Sequence, residues 1–211
     1  MDSYKITFEN WDKAALQYQE KFMDLALYDD TYDIFCTHIK KTGARILEIG
    51  CGPGNITRYL LSKKPDLNIE AIDIAPSMIE LAKINNPTAN FMVMDCREID
   101  KLGPGYDAIM CGFCMPYISK DDCAKLVKDC ALLLNKEGIL YFSAIEADYN
   151  KSGYTTSSDG KYKMYLYYHQ EDYLQEYLKE NNFELLSLQR KEYEQAAEAS
   201  SGHMIFIARK I

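Results

Sequence analysis

Three closely spaced glycines are the feature that most limits what this chain can fold into. They lie in the segment 46–57, ILEIGCGPGNIT, after an apolar run and before a helical pattern. A short apolar run that ends in glycine is typical of a buried strand. Glycine lets the backbone turn tightly and approach a ligand closely, and the helix that follows begins with unpaired N–H groups. The segment therefore predicts a strand, a ligand-contacting turn and a helix, in that order.

Strand and helix patterns alternate along the middle of the chain. Strands are predicted at 44–50, 68–74, 89–95, 106–113 and 138–146, and helices at 55–63, 75–85 and 119–134. This alternation predicts right-handed βαβ units and a parallel sheet. A helix at 169–182 and two strands at 183–194 and 203–210 follow. The connection between these two strands is too short for a parallel crossover, so the last strand is predicted to run antiparallel.

Two further segments flank this pattern. Before it, helices are predicted at 12–27, with Tyr18 and Phe22 on one face, and at 31–41, with Asp29 and Asp30 as caps. Inside it, eight tyrosines fall between residues 149 and 177, around a turn signal at Asp159-Gly160. These residues predict a hairpin inserted after the fifth strand. Its tyrosines suit either strand packing or contact with a planar ligand.

Composition excludes several classes of protein. A length of 211 residues suits one domain, and no apolar run approaches the ~20 residues that a membrane span needs. The net charge of −8 and the absence of a basic cluster argue against a nucleic-acid partner. Seven cysteines and no visible secretory leader predict reduced thiols and a cytoplasmic location. The oligomeric state, monomer or homodimer, stays open.

Two carboxylates follow the glycine segment at the ends of predicted strands. Asp73 ends the second strand and Asp95 ends the third. Because the carboxyl ends of neighbouring strands in a doubly wound sheet share one crevice, both should face the glycine turn. A carboxylate there can accept hydrogen bonds from a ribose diol or from a purine amine. Each aspartate is also placed to cap the helix that follows it, and the two roles are compatible.

The glycine spacing separates two kinds of nucleotide site. A nicotinamide-binding turn has the pattern G-x-G-x-x-G. Here the third glycine comes one position early, as Gly50-x-Gly52-x-Gly54. An antiparallel last strand also fits the nicotinamide fold poorly. The pattern therefore favours a methyl-donor site.

The sequence resembles the class I S-adenosylmethionine-dependent methyltransferases, in particular their small-molecule branch. The resemblance extends over about residues 10–211. It is carried by five segments in order: LEIGCGPGNIT, AIDIAPSMIELAK, VMDCREI, YDAIMCGFCMPYI and LLLNKEGILYFS. It implies an α/β, doubly wound, Rossmann-like sheet of seven strands. Strands one to five would be parallel and the last antiparallel, with helices on both faces and an N-terminal helical lid.

The resemblance also implies the residues of a donor site. They are Tyr18 as a closing aromatic, Glu48 beneath the glycine turn, the backbones of Gly50, Cys51 and Gly52, Asp73 at the ribose, Ile74 and Met78 beside the adenine, Asp95 and Cys96 at the adenine amine, and Cys111 near the methionine moiety. Trp11 is a second candidate for the lid. Phe113, Tyr117 and Tyr154 are candidates for the acceptor pocket, although simple packing explains Tyr117 equally well.

We therefore predict one methyltransferase domain over residues 1–211. It comprises a helical lid (1–42), a donor-binding core (43–146), an inserted substrate segment (147–168) and a C-terminal helix with a strand pair (169–211). The expected reaction is SN2 transfer of a methyl group from S-adenosylmethionine to a small molecule, without a metal. The alternatives are a nicotinamide-dependent oxidoreductase and a non-catalytic sensor of the methyl donor. The acceptor, the atom methylated and any general base stay open, with His169 as one candidate base.

Overall fold

The fold is built on a seven-stranded sheet, seen in a computed structural model that describes residues 3–157, 160–193 and 201–211. The strands in this described part are β1 (Arg45–Ile49), β2 (Asn68–Asp73), β3 (Asn90–Val93), β4 (Tyr106–Cys111), β5 (Leu134–Ile145), β6 (Gly153–Thr156), β7 (Lys163–Leu166), β8 (Phe183–Tyr193) and β9 (Ser201–Lys210). The order in the main sheet is β3-β2-β1-β4-β5-β9-β8. Strands β1 to β5 are parallel, and β9 runs antiparallel to β5 and β8. The predicted sheet is confirmed.

Helices cover both faces of the sheet. They are α1 (Ser3–Lys13), α2 (Ala15–Phe22), α3 (Asp29–His38), α4 (Asn55–Lys63), α5 (Pro76–Asn85), α6 (Lys120–Leu133) and α7 (Glu171–Glu180). Helices α3, α4 and α5 contribute to the core on one face, and α6 and α7 contribute to the core on the other. None of the helices in the described part of the chain has the length and apolar composition that crossing a bilayer requires.

The alternation of side chains along the strands explains why both faces are covered. In β4, Ile109 and Cys111 belong to the core beneath α6, while Ala108 and Met110 belong to the core beneath α3 and α4. All four are fully buried. Successive strand residues point to opposite faces, so a continuous apolar run requires cover on both sides.

The N-terminal region differs from its prediction in helix bounds. The single helix predicted at 12–27 is two helices, and α1 begins as early as Ser3. Helix α1 is anchored by distant residues: the side-chain amide of Asn10 donates to the Lys163 carbonyl at 2.8 Å, and the Tyr165 N–H donates to the Thr7 hydroxyl at 2.9 Å. Local periodicity cannot reveal such contacts.

Two local predictions can be compared with the structure. Asp29 and Asp30 lie inside the first turn of α3 and do not cap it, because α3 begins at Asp29. The inserted hairpin is confirmed, since β6 and β7 pair antiparallel with Tyr154 opposite Tyr165. Its predicted turn includes Asp159, which lies outside the described residues. The hairpin packs on α1, so two segments far apart in sequence form one unit beside the sheet.

Candidate functional site

The glycine loop, residues 50–54, joins β1 to α4 and is held firmly against β2. The N–H groups of Gly50 and Cys51 donate to the Ile72 carbonyl at 2.8 and 3.0 Å, and the Gly52 N–H donates to Asp73 Oδ2 at 2.9 Å. The Gly54 N–H donates to the Cys51 carbonyl at 3.0 Å. These four N–H groups are therefore already paired within the protein. The loop presents carbonyls and Cα surfaces to a ligand more than it presents donors.

All three glycines of this loop have a positive φ and could not be replaced without strain, as Gly54 and Gly52 illustrate. Gly54 has a φ of +82°, and an added Cβ would lie 2.3 Å from Nδ2 of Asn86. That amide nitrogen donates to the Gly54 carbonyl at 2.9 Å. Gly52 has a φ of +52°, and its Cβ would lie 3.5 Å from the ring of Tyr18. The second contact shows that Tyr18, on α2, covers the loop.

Asp73 connects the end of β2 to two neighbouring elements. Its Oδ2 accepts from Gly52, and its Oδ1 accepts from the Ala75 N–H at 2.9 Å at the start of α5. Burial raises its pKa, and the backbone hydrogen bonds act against that rise. A carboxylate has about four acceptor positions, so two backbone donors leave capacity for a ligand.

Asp95 follows β3 and is paired with Arg97. Its carboxylate accepts from the Arg97 N–H at 2.9 Å and from the guanidinium at 2.5–3.1 Å. Burial acts to raise the pKa of Asp95, but the hydrogen bonds and charge of Arg97 outweigh it and hold the pKa below its usual range. The guanidinium also lies 4.1 Å from the ring centroid of Tyr4. Asp95 is therefore an ionised acceptor, and it also caps the short 3-10 helix Cys96–Lys101.

Glu48 lies on β1 beneath the glycine loop, and its side chain is buried. Its Oε2 accepts from the Thr57 hydroxyl at 2.5 Å, while its Oε1 has no hydrogen-bond partner among the described residues. Burial raises the pKa of Glu48 to about 8, despite the opposing bond from Thr57. An unpartnered buried carboxyl oxygen is costly, so Oε1 is a candidate to accept a hydrogen bond from a ligand or a water.

The first cavity, which we call the donor cavity, lies above the carboxyl ends of β1, β2 and β4. It brings together ten of the predicted site residues: Tyr18, Gly50, Gly52, Asp73, Ile74, Met78, Asp95, Cys96, Phe113 and Tyr117. Trp11, the second lid candidate, also lines it. The remaining lining residues were not predicted: Phe8, Met94, Gly112, Cys114 and Ile118. Phe8 was missed because α1 begins earlier than its pattern indicates.

Three predicted donor residues do not line this cavity. Glu48 and Cys51 lie beneath it, and the N–H of Cys51 is used by Ile72. Cys111, the last residue of β4, belongs to the core and is fully buried, so the structure does not bring its side chain to the cavity. Cys114 lies at the cavity in its place, and its thiol hydrogen-bonds with those of Cys96 and Cys111. All three cysteines are free thiols.

A second cavity, which we call the aromatic chamber, adjoins the first. The two share Trp11, Tyr18, Phe113 and Tyr117. The other lining residues of the chamber are Phe22, Leu25, Tyr28, Tyr32, Asn55, Pro116, Ile145, Tyr193 and His203. They come from the N-terminal helices, the start of α4, the loop after β4, and the ends of β5, β8 and β9. The sequence indicated four residues of this chamber: Phe113 and Tyr117 as acceptor candidates, and Trp11 and Tyr18 as lid candidates.

Phe113 stands at the junction of the two cavities in a strained conformation. Its φ is +60°, which is uncommon for a bulky residue. Its N–H donates to the hydroxyl of Ser143 on β5 at 2.8 Å, which fixes the turn after β4. Strained residues of this kind cluster at functional sites. Tyr154, the third acceptor candidate, is 51% exposed and lines neither cavity. Tyr154 is therefore the acceptor candidate that the structure does not bring to either cavity.

The two histidines near this edge have different surroundings. His169 is fully buried away from both cavities, with Nε2 3.0 Å from the Met115 carbonyl and Nδ1 2.9 Å from the Tyr173 hydroxyl. These bonds make His169 a structural residue and not a base. His203 instead lines the aromatic chamber, with Nδ1 2.6 Å from the Tyr28 hydroxyl. Burial lowers the pKa of each histidine to about 4.

Neither cavity shows a metal site among its described lining residues. No group of three or more His, Cys, Asp or Glu side chains in residues 3–157, 160–193 and 201–211 is arranged to hold a metal ion. Lysine and arginine are also missing from the described lining of both cavities.

The central part of the chain is similar to a known protein family. A family model described as a methyltransferase domain matches residues 46–138, which run from β1 into β5. Malonyl-[acyl-carrier protein] O-methyltransferase of Acetivibrio thermocellus is 35% identical over 105 residues, 49% of this chain and 36% of that protein. The chain spans half or less of the length of the first four curated relatives, from 27% to 50%.

Two further similarities extend over nearly the whole chain. A tRNA N(3)-methylcytidine methyltransferase of Schizosaccharomyces pombe is 25% identical over 208 residues, 88% of this chain and 83% of that protein. Magnesium protoporphyrin IX methyltransferase of Synechocystis, solved with bound S-adenosylhomocysteine, superposes with a TM-score of 0.75 at 16% identity over 100% of both chains. At that identity the likeness establishes the fold, which is the one that the sheet order indicates.

Proposed function

We propose that this chain is a class I S-adenosylmethionine-dependent methyltransferase and that it transfers a methyl group from S-adenosylmethionine to a small-molecule acceptor. The observation that carries the proposal is the pair of joined cavities at the carboxyl edge of the sheet. One cavity has carboxylates at the ends of β2 and β3, and the other has aromatic walls. A transfer reaction needs two such sites that meet.

The residues of the donor cavity suit the parts of S-adenosylmethionine. Asp73 is proposed to accept from the ribose hydroxyls, Asp95 from the adenine amine, and Ile74 and Met78 to contact the adenine faces. Glu48 supplies the clearest observation in favour, because its Oε1 is buried without a partner. The ammonium of the methionine moiety is a donor of the kind that this oxygen lacks. We assign the residues 43–146 to donor binding on this basis.

The methyl-transfer reaction itself needs little chemical assistance from the protein. Bound S-adenosylmethionine supplies a methyl group on a sulfonium, and an acceptor lone pair forms the new bond to carbon while the C–S electron pair returns to sulfur. The contribution of this chain is then to align the two molecules and to exclude water. Trp11, Tyr18 and Tyr117 line both cavities, so they are placed to align the two molecules and to exclude water. Aromatic faces also stabilise a neighbouring cation.

The same geometry argues against a nicotinamide oxidoreductase. A dinucleotide turn binds pyrophosphate through backbone N–H groups of its glycine loop. Here the N–H groups of Gly50, Cys51, Gly52 and Gly54 are all donated within the protein. An incoming phosphate would find few free donors and no cation in the described lining of the donor cavity.

A small molecule fits as acceptor better than a nucleic acid. Binding of a nucleic-acid backbone is carried by lysine and arginine contacts to phosphates. The chain has a net charge of −8, and the described lining residues of both cavities include no cation. This charge distribution is why we do not extend the acceptor of the S. pombe relative to this chain.

The test combines binding and turnover. Calorimetry should show S-adenosylhomocysteine binding to the full chain and no comparable binding of NADH. Incubation with S-adenosylmethionine and a metabolite extract should then give products heavier by one methylene, detected by mass spectrometry. Donor binding without any product would indicate a sensor. Tighter binding of NADH would contradict the family assignment of the donor cavity.

A further inference from the structure

The aromatic chamber has walls that suit a flat, conjugated molecule. Eight aromatic side chains and the imidazole of His203 line it. The His203 ring is nearly parallel to those of Tyr28 and Tyr193, at centroid distances of 5.9 Å and interplanar angles of 9° and 17°. Phe113 meets Tyr28 and His203 edge-on, at 4.6 and 5.6 Å. A planar ring gains favourable stacking and edge contacts against such walls.

The polar groups of the chamber are uncharged. They are the tyrosine hydroxyls, the Asn55 amide and the His203 imidazole, and no lysine, arginine, aspartate or glutamate belongs to the described lining. Lys21 contacts the rings of Phe22 and Tyr193 but does not line the chamber. A charged acceptor would therefore lose its hydration without gaining an ionic partner, which is costly.

The chamber also offers hydrogen-bonding groups that can orient a neutral ring. The Trp11 indole N–H has no hydrogen-bond partner in the described part of the chain, and Trp11 lines both cavities. The Tyr28 hydroxyl and His203 Nδ1 form a pair at 2.6 Å on the chamber wall. A heteroaromatic molecule carries both the flat faces and the in-plane polar atoms that these groups can meet.

No strong base faces the chamber in the described structure. Burial lowers the pKa of His203 to about 4 and raises the pKa values of Tyr18, Tyr28 and Tyr117. The imidazole is thus neutral near pH 7 and a poor acceptor for the proton of an ordinary hydroxyl group. An acceptor that attacks with a neutral lone pair needs no proton removed beforehand.

On the premise of the proposed function, we propose that the aromatic chamber binds an uncharged, flat heteroaromatic acceptor and that a ring nitrogen of this acceptor is methylated. The nitrogen lone pair forms the bond to the methyl carbon, the C–S bond breaks with its electron pair going to sulfur, and the positive charge passes to the ring. The aromatic walls then face a cation, which their π faces stabilise.

The first arm of the test measures binding to the full chain saturated with S-adenosylhomocysteine. The probes are quinoline and quinoline-6-carboxylate, which share a ring system and differ in charge. Calorimetry should give a dissociation constant for quinoline at least about tenfold lower than that for the carboxylate, because the carboxylate must be desolvated without a partner. Equal or tighter binding of the carboxylate would overturn the proposal.

The second arm uses a matched pair of substitutions on β8. Tyr193→Ala removes one wall of the chamber, whereas Leu185→Ala shortens a side chain that is 36% exposed on the same strand. Tyr193→Ala should weaken quinoline binding by about tenfold, since an aromatic contact and its buried area are lost. Leu185→Ala should leave it unchanged. Both variants should bind S-adenosylhomocysteine as the unmodified chain does.

The outcomes separate the two proposals. Normal S-adenosylhomocysteine binding with no loss of quinoline binding in Tyr193→Ala would refute the chamber assignment and leave the methyltransferase function standing. Failure of the unmodified chain to bind S-adenosylhomocysteine would refute the proposed function itself. With S-adenosylmethionine present, quinoline should give N-methylquinolinium, and methylation of 2-naphthol on oxygen in its place would contradict the assignment of a neutral nitrogen nucleophile.

Discussion

The carboxylate of Asp73 accepts a hydrogen bond from the backbone N–H of Gly52 at 2.9 Å, across 21 positions of sequence. This bond ties the end of β2 to the glycine loop, so that one side chain fixes the loop and faces the donor cavity. The same carboxylate is thereby held in one orientation before any ligand arrives.

The first prediction concerns this carboxylate. Asp73→Asn keeps one accepting oxygen for the backbone but loses the charge, and should weaken S-adenosylhomocysteine binding by ~1.5–3 kcal/mol, the scale of hydrogen bonds to a charged group. The control is Asp66→Asn, because Asp66 also accepts from a glycine N–H, that of Gly43, at 2.8 Å. Calorimetry on both folded variants measures the difference. Equal affinities would show that Asp73 only supports the loop.

The second prediction concerns Glu48. Its folded pKa of about 8 lies above the ordinary value of 4.5, so the folded state binds the extra proton and loses stability as the pH rises between those two values. Glu48→Gln removes this dependence. The ligand-free variant should be more stable than the unmodified chain at pH 8, by on the order of 3 kcal/mol.

The same substitution should have the opposite effect on the binding of S-adenosylmethionine. If Glu48 meets the donor ammonium, Glu48→Gln weakens S-adenosylmethionine binding even though it stabilises the free protein. Urea unfolding across pH and calorimetry at pH 8 measure the two effects. Parallel stability–pH curves for variant and unmodified chain would contradict the raised pKa, and an unchanged affinity would contradict the ammonium contact.

The third prediction is that turnover needs no metal. The described residues gather no cluster of metal ligands, and a sulfonium needs no metal to be activated. Activity should therefore survive dialysis against EDTA, with the rate compared before and after. Loss of activity that magnesium or zinc restores would reveal a metal requirement that the sequence and the described structure do not indicate.

The fourth prediction is that the N-terminal helices and the inserted hairpin close together over the cavities. Helix α1 is bonded to β7 through Thr7 and Asn10, so movement of one should carry the other. Hydrogen exchange should slow in residues 10–25, 150–157 and 160–168 when S-adenosylhomocysteine is added. Asn10→Ala, which removes one of the two bonds, should reduce this protection in both segments.

The control for that experiment is a surface change away from the hairpin, Leu16→Ala, since Leu16 is 65% exposed on α2. It should leave the protection intact. Exchange that is indifferent to ligand in both segments would contradict closure. Removal of residues 1–20 should raise the donor dissociation constant while the sheet remains folded.

The donor side of the site could be predicted because its signals are local. The glycine spacing marks the turn after β1, and Asp73 and Asp95 follow apolar runs whose ends are easily recognised. The position of Cys111 is harder to predict, because it depends on where β4 ends and on which face its last side chain lies. Cys114, three positions later and beyond the end of β4, lines the cavity, whereas Cys111 is buried in the core.

The acceptor side could not be predicted in the same way. Tyr28 and His203 are 175 positions apart in sequence, yet their side chains form one hydrogen-bonded pair. No local pattern connects them. The tyrosine-rich hairpin led to the prediction of Tyr154, but this side chain is exposed and lines neither cavity. Only the pairing of β9 with β5 and β8 places His203 beside Tyr193.

The internally paired glycine loop has a consequence for the rates of binding. Because its N–H groups are satisfied before a ligand arrives, the loop has no folding step to complete and no entropy of ordering to lose. Association should then be limited by access past α1 and the hairpin. The residence time of the spent donor should follow the opening of those segments. We therefore expect product release, more than methyl transfer, to limit the number of turnovers per second.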